Sequence, residues 1–400
     1  MVNYLDRVAI SFAGPKIMES LSLTHAQFGI VLSSFGVGYA LALIPGGFIV
    51  DRVGVRLMCI VGPLAWAFFT GLTGLVSTTI AFVAVRFCFG VSEGLFGSSQ
   101  YKAVGDYFEP KERAGILAIC LTSLAVGPAL AGPLVGTLVT NYSWQAMFGI
   151  MAVPAVLASL AAYLLFPRAT PVLADEAERG VHPVIGEKVP FKDVLKQPSL
   201  WLVSFVNFSQ DIAQWGFLGW MPSYLAMERH IDLKHAGYFG SIPYVFAFFG
   251  LLIGGWLGSS ARFHHLRCQM VVIGLLVAAL SLFLAYNSDT LILAVVGLSA
   301  TSLFLFGAAA PKGAVVIGLA PAEHRGAYSA TYTTAGHIGG AISPALIGFT
   351  VTASGSFATG FTLMTGALCV AALCMAALVP MLKKQRVRAP TPEQAVVEAL

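Results

Sequence analysis

Charge is what this 400-residue sequence has least of: Asp, Glu, Lys and Arg together make up 10% of it. A soluble domain carries about a quarter charged residues, so this chain has too few to cover a surface in water. That scarcity excludes a soluble enzyme, a nucleic-acid-binding protein and a disordered regulator. The formal net charge of +4 does not bring nucleic acid back, because the bases are scattered over many short loops instead of gathered on one face. Cysteine is also sparse. Cys59, Cys88, Cys120, Cys268, Cys369 and Cys374 stand singly in apolar runs with no Cys-x-x-Cys pair, so neither a disulfide framework nor a zinc site is expected. What fills the chain instead is apolar, 57% of all residues. This is an integral membrane protein, whose partners are the lipid bilayer and whatever small molecule it handles.

A bilayer core of about 30 Å needs roughly 20 apolar residues per helix. Eleven runs meet that need, near 27–49, 57–76, 79–101, 114–139, 144–166, 200–224, 236–258, 270–286, 290–317, 327–351 and 357–381. A shorter run precedes them, from Met1 to about Gly14, and Gly14-Pro15 is expected to end it after roughly 20 Å of helix. Barrel strands are excluded, since the runs are too long and lack period-two alternation. Of the 23 Lys and Arg, 17 fall in the loops after even-numbered spans or in the C-terminal tail. Only Lys16, Arg229 and Lys234 lie on the other side, and Arg7, Arg86 and Lys312 lie inside spans. The positive-inside rule then puts both termini in the cytoplasm and supports twelve spans.

The longest polar stretch, near Pro167 to Pro198, contains Asp175-Glu176-Ala177-Glu178-Arg179 and reads as a cytoplasmic linker. The expected organisation is a six-helix bundle over 1–166, a linker over 167–199, a second bundle over 200–382 and a tail over 383–400. The halves echo each other. Gly46-Gly47-Phe48-Ile49 recurs as Gly254-Gly255-Trp256-Leu257, Arg113-Ala114-Gly115 recurs as Arg325-Gly326-Ala327, and Pro128 and Pro133 have a counterpart in Pro344. Equivalent positions lie on the same side of the membrane, which is a parallel repeat.

Between the second and third spans stands Gly47-Phe48-Ile49-Val50-Asp51-Arg52-Val53-Gly54-Val55-Arg56. It resembles the signature loop of the major facilitator superfamily, Gly-x-x-x-Asp-Arg-x-Gly-x-Arg. Gly47 permits close helix approach, Gly54 a tight turn, and Asp51, Arg52, Arg56 and Arg113 a charge network that holds the cytoplasmic face shut in one state. Further segments narrow the likeness: Asn3-Tyr4-Leu5-Asp6-Arg7, Gly38-Tyr39-Ala40, Arg86 through Gly94, Tyr107-Phe108-Glu109-Pro110 and Met221-Pro222-Ser223-Tyr224-Leu225. Together they resemble the anion:cation symporter branch, which includes bacterial sugar-acid and aromatic-acid proton symporters and vesicular glutamate and sialic-acid carriers. The resemblance implies an all-α membrane protein with the twelve-helix major facilitator fold, two pseudo-symmetric six-helix bundles. In that branch about twenty residues precede the Tyr-x-x-Asp-Arg segment, so helix one is expected to be truncated at its start.

Ionisable groups at mid-membrane cost at least about 2.5–3.5 kcal/mol each, so they need a partner or a wet cavity. Six are present, Asp6, Arg7, Arg86, Glu93, Asp211 and Lys312, with His337 as a seventh polar centre. Arg86 and Glu93, seven apart, share a face of helix four but lie roughly 10 Å apart along its axis, too far for a direct salt bridge. Asp6 and Arg7 project about 100° apart, so each meets a different partner. Arg7 offers a fixed positive fork suited to a carboxylate. Two readings stand for Asp6 and Glu93: proton carriers coupled to anion binding, or members of a structural ion-pair network. On the first, protonating both acids leaves the first-half site at +2, which attracts an organic anion, and losing the protons to the cytoplasm releases it. The family resemblance implies the proton roles for Asp6 and Glu93, carboxylate binding by Arg7, and a pocket lined by Tyr4 and Tyr39.

Asn207, Gln210, Asp211 and Gln214 form a polar stripe on the seventh span, read either as the second-half wall of the cavity or as interhelical hydrogen bonding. Trp215 is a candidate for shaping a pocket and Trp220 for an interfacial anchor. Where the family commonly has two asparagines, this sequence has Thr333 and His337, and Leu124 stands where sugar-acid carriers often have a polar residue. These departures favour an aromatic or dicarboxylic acid over a sugar acid. Lys312 either binds a second anionic group or snorkels to the interface. The expected function is proton-coupled uptake of a small organic anion by alternating access, with Arg86, Gln210, Asp211, Gln214, Thr333 and His337 joining Tyr4, Arg7 and Tyr39 as substrate-binding candidates. No cofactor beyond protons, no metal and no catalytic residues are expected, and the protein is expected to be a monomer in the inner membrane. Proton-driven efflux and a non-transporting sensor are the competing readings. An intramembrane hydrolase is disfavoured, because neither Asp6 nor Asp211 has a Gly-x-Gly-Asp setting.

Overall fold

The computed structural model describes residues 1–97, 99–108, 110–166, 192, 195–320 and 325–388. Most of the expected linker, including its acidic run, and the tail beyond 388 lie outside the described residues, as does the side chain of Arg113. The rest is helical. The first half comprises α1 (Val2–Leu21), α2 (His25–Val53), α3 (Val55–Thr73), α4 (Thr79–Gly97, continued by Ser99–Tyr107), α5 (Pro110–Asn141) and α6 (Trp144–Leu165). The second comprises α7 (Pro198–Ser223), α8 (Leu233–Ser259), α9 (Arg267–Tyr286), α10 (Leu291–Gly307, continued by Ala309–Leu319), α11 (Arg325–Ser354) and α12 (Phe357–Arg388). A π-helical turn, Tyr224–Glu228, extends α7.

Nine of these helices, among the described residues, are long and apolar enough to cross a membrane. The three that fall short are α1, α7 and α11, which carry Asp6 and Arg7, the Asn207–Gln214 stripe, and Thr333 and His337. Their reduced hydropathy has a packing reason. α1 and α7 touch across the two halves, and so do α2 and α11, and Asp6, Arg7, Asn207 and Gln210 are buried in protein instead of facing lipid.

The first helix differs from expectation. α1 does not stop at Gly14-Pro15 but continues to Leu21, giving 20 residues and about 30 Å of helix. Pro15 removes one backbone donor, a loss that membrane helices tolerate when neighbours pack closely. Here a Cβ on Gly14 would meet the Phe28 ring at 2.9 Å and Ser223 Oγ at 3.0 Å, and Ile17 and Met18 are buried one turn on.

The repeat is visible in the packing. In the first half α2 and α4 approach backbone to backbone: a Cβ on Gly38 would strike Phe87, on Gly90 Phe35, on Gly94 Tyr39, and on Gly46 the Leu95 Cα at 2.6 Å. In the second half α8 and α10 do the same through Gly250 against Leu303, Gly254 against Gly307 and Gly258 against Pro311. Close approach through small residues replaces the hydrophobic drive that lipid cannot supply. Gly46 and Gly254, paired in the sequence repeat, thus play one role in each half.

The halves meet at one end. Ala26 N–H donates to Thr352 Oγ1 at 2.8 Å and Ala345 N–H donates to Ser33 Oγ at 2.9 Å, while within the second half Trp220 Nε1 donates to the Pro344 carbonyl at 2.9 Å. On the other flank Gly132 and Gly136 of α5 lie against Gly237 and Leu233 of α8. All of these sit toward the end of the molecule where α1 finishes, opposite the Gly47–Arg56 loop. Trp220, expected at a lipid interface, is instead fully buried, its ring against His25, Phe28 and Phe357.

At the opposite end the signature loop turns at Gly54, whose φ of 82° is one that L side chains rarely adopt. Asp51 pairs with Lys102 Nζ at 3.3 Å, and Lys102 also reaches Asp106 at 3.6 Å. Arg56 donates to the carbonyls of Tyr163 at 3.0 Å and Phe166 at 3.2 Å, capping the end of α6. The network is therefore held within the first half at these residues, while Arg52 is exposed.

Candidate functional site

α1 brings Arg7 to the centre of the molecule. It is 8% exposed and is ion-paired with Glu93 of α4, its Nε 3.2 Å from Glu93 Oε2. Four aromatic rings surround the guanidinium. The centroids of Tyr4, Phe35 and Tyr39 each lie 4.9 Å from Arg7 Cζ, and that of Trp215 lies at 5.4 Å. Ring faces attract a cation and exclude water at once, so charged contacts made by Arg7 here are strong ones. Three of the rings belong to the first half. The fourth, Trp215, reaches in from α7, and a Cβ on Gly340 of α11 would meet its Nε1 at 2.7 Å.

Asp6 points away from Arg7, as the helical offset of adjacent residues requires. It is 1% exposed, with Oδ2 3.5 Å from the Thr70 hydroxyl of α3. Arg86 is 2% exposed and lies over Phe35 and Phe89, at 5.1 and 4.9 Å. Phe35 is thus a ring neighbour of both guanidinium groups. Asp6 Oδ1 and Arg86 Nε have no hydrogen-bond partner among the described residues. Arg86 and Glu93 form no direct salt bridge, in keeping with their axial separation.

Two cavities reach this cluster. A larger one, about 470 Å³, opens within the first half, with Tyr4, Arg7, Tyr39 and Glu93 along its wall and Trp66 and Gln100 farther out. A smaller one, about 30 Å³, lies where the halves meet, between Arg7, Phe35 and Tyr39 on one side and Trp215, His337 and Gly340 on the other. Arg7 and Tyr39 border both. The His337 ring stands edge-on to Tyr39 at 5.4 Å. Asp6 and Arg86 line neither cavity.

The polar stripe of α7 divides in two. Asn207 Oδ1 and Gln210 Oε1 accept hydrogen bonds from Lys312 Nζ of α10, at 2.7 and 2.9 Å, and both residues are buried. Asp211 and Gln214 are partly open, with Asp211 Oδ2 directed at Gly336 of α11. Thr333 is exposed. The sequence-predicted residues therefore form two groups: Tyr4, Arg7, Tyr39, Glu93 and His337 together, and Gln210 and Asp211 around Lys312. Gln214 and Thr333 join neither through any recorded contact.

Phe35 and Thr70 are parts of the cluster that sequence reasoning missed. Phe35 is one helical turn before Tyr39 and so shares its face, a signal present but swamped by 28 phenylalanines in the chain. Thr70 is one of two threonines near the end of an apolar run, with Thr73 three residues on and nothing in the sequence to distinguish it. Among the described residues no cluster of His, Cys, Asp and Glu has metal-binding geometry.

A family model described as Major Facilitator Superfamily matches residues 1–311 and 262–399 of the chain. Among curated proteins, the chain is 28% identical to a hexuronate transporter of Bacillus subtilis, over 94% of this chain and 91% of that one. It is 28% identical to a probable sulfoacetate transporter of Cupriavidus necator, over 95% and 91%, and 27% identical to a probable galactarate/D-glucarate transporter of Escherichia coli, over 97% and 94%. Among solved structures, a bacterial homolog of the human lysosomal transporter Spinster, inward-facing and unoccupied, superposes with a TM-score of 0.80 at 18% identity, covering 98% of this chain and 96% of that one. That last likeness concerns the fold.

Proposed function

The chain belongs to the major facilitator superfamily, and on that premise we propose that it takes up a small organic anion in symport with protons. The observation that carries this reading is the position of Arg7. It is the one base that borders both cavities, and its direct ionic partner is Glu93. A substrate carboxylate and the Glu93 carboxylate therefore compete for one guanidinium fork. When Glu93 holds a proton, Arg7 is released to the incoming anion; when the proton leaves, Glu93 reclaims Arg7 and the anion departs. Proton and anion are linked through a shared partner, which is the differential interaction that a coupled carrier requires.

Asp6 supports a second proton position. A full carboxylate charge needs donors at both oxygens, and here one has a long contact to Thr70 while the other has none. The relatives transport anions: a hexuronate, sulfoacetate and galactarate or glucarate are named for them. The bias of bases toward even-numbered loops supports cytoplasmic termini and the bacterial inner membrane. With that orientation the closed end faces outward and the 470 Å³ cavity faces the cytoplasm.

The test is transport by the full chain in proteoliposomes. Glu93→Gln mimics the protonated acid without its proton, so exchange of labelled for unlabelled anion is expected to persist while accumulation driven by a pH gradient disappears. Accumulation by Glu93→Gln equal to wild type would remove the proton role from Glu93.

A further inference from the structure

The exchange at Arg7 leaves a third cavity unused, on the outer flank of the second half. It lies between α8 and α10, has a volume of about 380 Å³, and is bordered by Phe239, Ile242 and Phe246 on one side and Ile292, Val296 and Ala300 on the other. Ile242, Phe246, Ile292 and Val296 are all exposed, so its mouth faces the bilayer. The opening has a packing cause. Lower down, Gly250 meets Leu303 and Gly254 meets Gly307 backbone to backbone. One and three turns earlier on the same face of α8 stand Phe246 and Phe239 instead of glycine, and there the helices part. Water gains nothing in the gap. Ser299 is the one polar side chain in the lining, and its hydroxyl donates to the Val295 carbonyl of its own helix at 2.7 Å. An apolar cavity of about 150 Å³ stays dry and takes one benzene ring, so this volume suits a hydrocarbon segment on the order of ten to fifteen carbons.

The rim of this cavity at the latched end is acidic. His235 precedes Phe239 by one turn on the same face of α8, and its ring is bonded to Asp232. Asp289 lies three residues before Ile292, just ahead of α10. Both carboxylates are exposed. The nearby base, Lys234, belongs to another flank of α8, where a Cβ on Gly136 of α5 would meet its Cα at 3.2 Å. We propose that the cavity seats one acyl chain of a phospholipid whose headgroup ends in a primary ammonium, the phosphatidylethanolamine class, and that Asp289 and Asp232 attract that ammonium. A headgroup of net negative charge would instead meet two carboxylates. On the far side of α8 from the cavity, Gly237 and Ser241 pack on Gly132 of α5. A chain held between α8 and α10 backs α8 onto that contact, so the lipid favours the state in which the latch is closed. None of this depends on what Arg7 binds.

The test uses the purified full chain in detergent and a phosphatidylethanolamine that carries a photoreactive diazirine in one acyl chain. Cross-links are expected to concentrate on the segments 239–246 and 292–303. Unlabelled phosphatidylethanolamine is expected to suppress them about two- to fivefold more potently than phosphatidylglycerol of the same chains, the worth of an exposed charge contact. Asp289→Asn is expected to bring the two competitors to equal potency. Ala300→Trp, which fills the cavity, is expected to lower cross-linking at these segments about tenfold, and melting of each variant reports its fold. Cross-links spread evenly over the lipid-facing helices overturn the proposal, as do equal potencies of the two competitors in the wild type. Unchanged cross-linking in a folded Ala300→Trp overturns it too. Should that variant misfold, Asp289→Asn decides: a preference for phosphatidylethanolamine kept in full overturns the assignment of the rim.

Discussion

Arg7 answers to an acid, four rings and two cavities, and the arithmetic of buried charge makes those demands measurable. Glu93 is 1% exposed, so deleting Arg7 leaves a carboxylate stranded away from water. Breaking a buried pair from one side costs about 3–5 kcal/mol, whereas removing both partners costs far less. Arg7→Ala is therefore expected to lower the melting temperature of the purified protein sharply, and Arg7→Ala combined with Glu93→Ala to recover much of the loss. Additive losses in that double-mutant cycle would mean that the pair is not coupled. Phe35 helps two guanidinium groups share one neighbourhood, because its ring lies about 5 Å from each and attracts both.

At the scale of the helix, glycine decides which elements can touch. In α4 a Cβ at Gly90 would run into the Phe35 carbonyl of α2, whereas at Gly255 of α8 nothing lies within 4 Å. The two positions are both helical, so backbone propensity treats them alike and only the neighbour differs. Gly90→Ala is expected to destabilise by about 1–3 kcal/mol through overpacking. Gly255→Ala is expected to stabilise by about 0.5–1 kcal/mol, since alanine loses less chain entropy in a helix. Melting of the two variants in one detergent checks both signs. The loop between α7 and α8 shows the same local logic at a helix start. Asp232 caps α8 by accepting from the His235 amide at 3.0 Å, and that bond together with the His235 ring holds its carboxyl below the ordinary carboxylate range.

Taken whole, the molecule is two rigid bundles latched at one end. The contacts of Ala26 with Thr352, Ser33 with Ala345 and the Trp220 ring with His25 and Phe28 must all break if the arrangement is to invert, and none lies inside a single half. A covalent tie at that end therefore tests alternating access without touching the site. With Ala26→Cys and Thr352→Cys joined by a short thiol-reactive cross-linker that carries a reducible disulfide, uptake is expected to stop and to return on reduction. Uptake that continues in the cross-linked protein would show that this end need not open.

The sequence alone carried the class of protein, the number of spans, the repeat and the identity of the buried charges. These depend on local quantities: apolar run length, the side on which bases fall, and the cost of an ion in hydrocarbon. It misplaced the end of α1, because Gly14-Pro15 reads as a breaker unless one knows that Phe28 and Ser223 press against that turn. It set Trp220 at a lipid interface, although the ring closes the latch between halves. Most of all, it could list Asp6, Arg7, Arg86, Glu93, Asp211 and Lys312 but not pair them. Pairing joins residues 86 and 105 positions apart, and the partner of a charge is fixed by how helices rotate and cross, which glycine contacts between helices set and no single helix encodes.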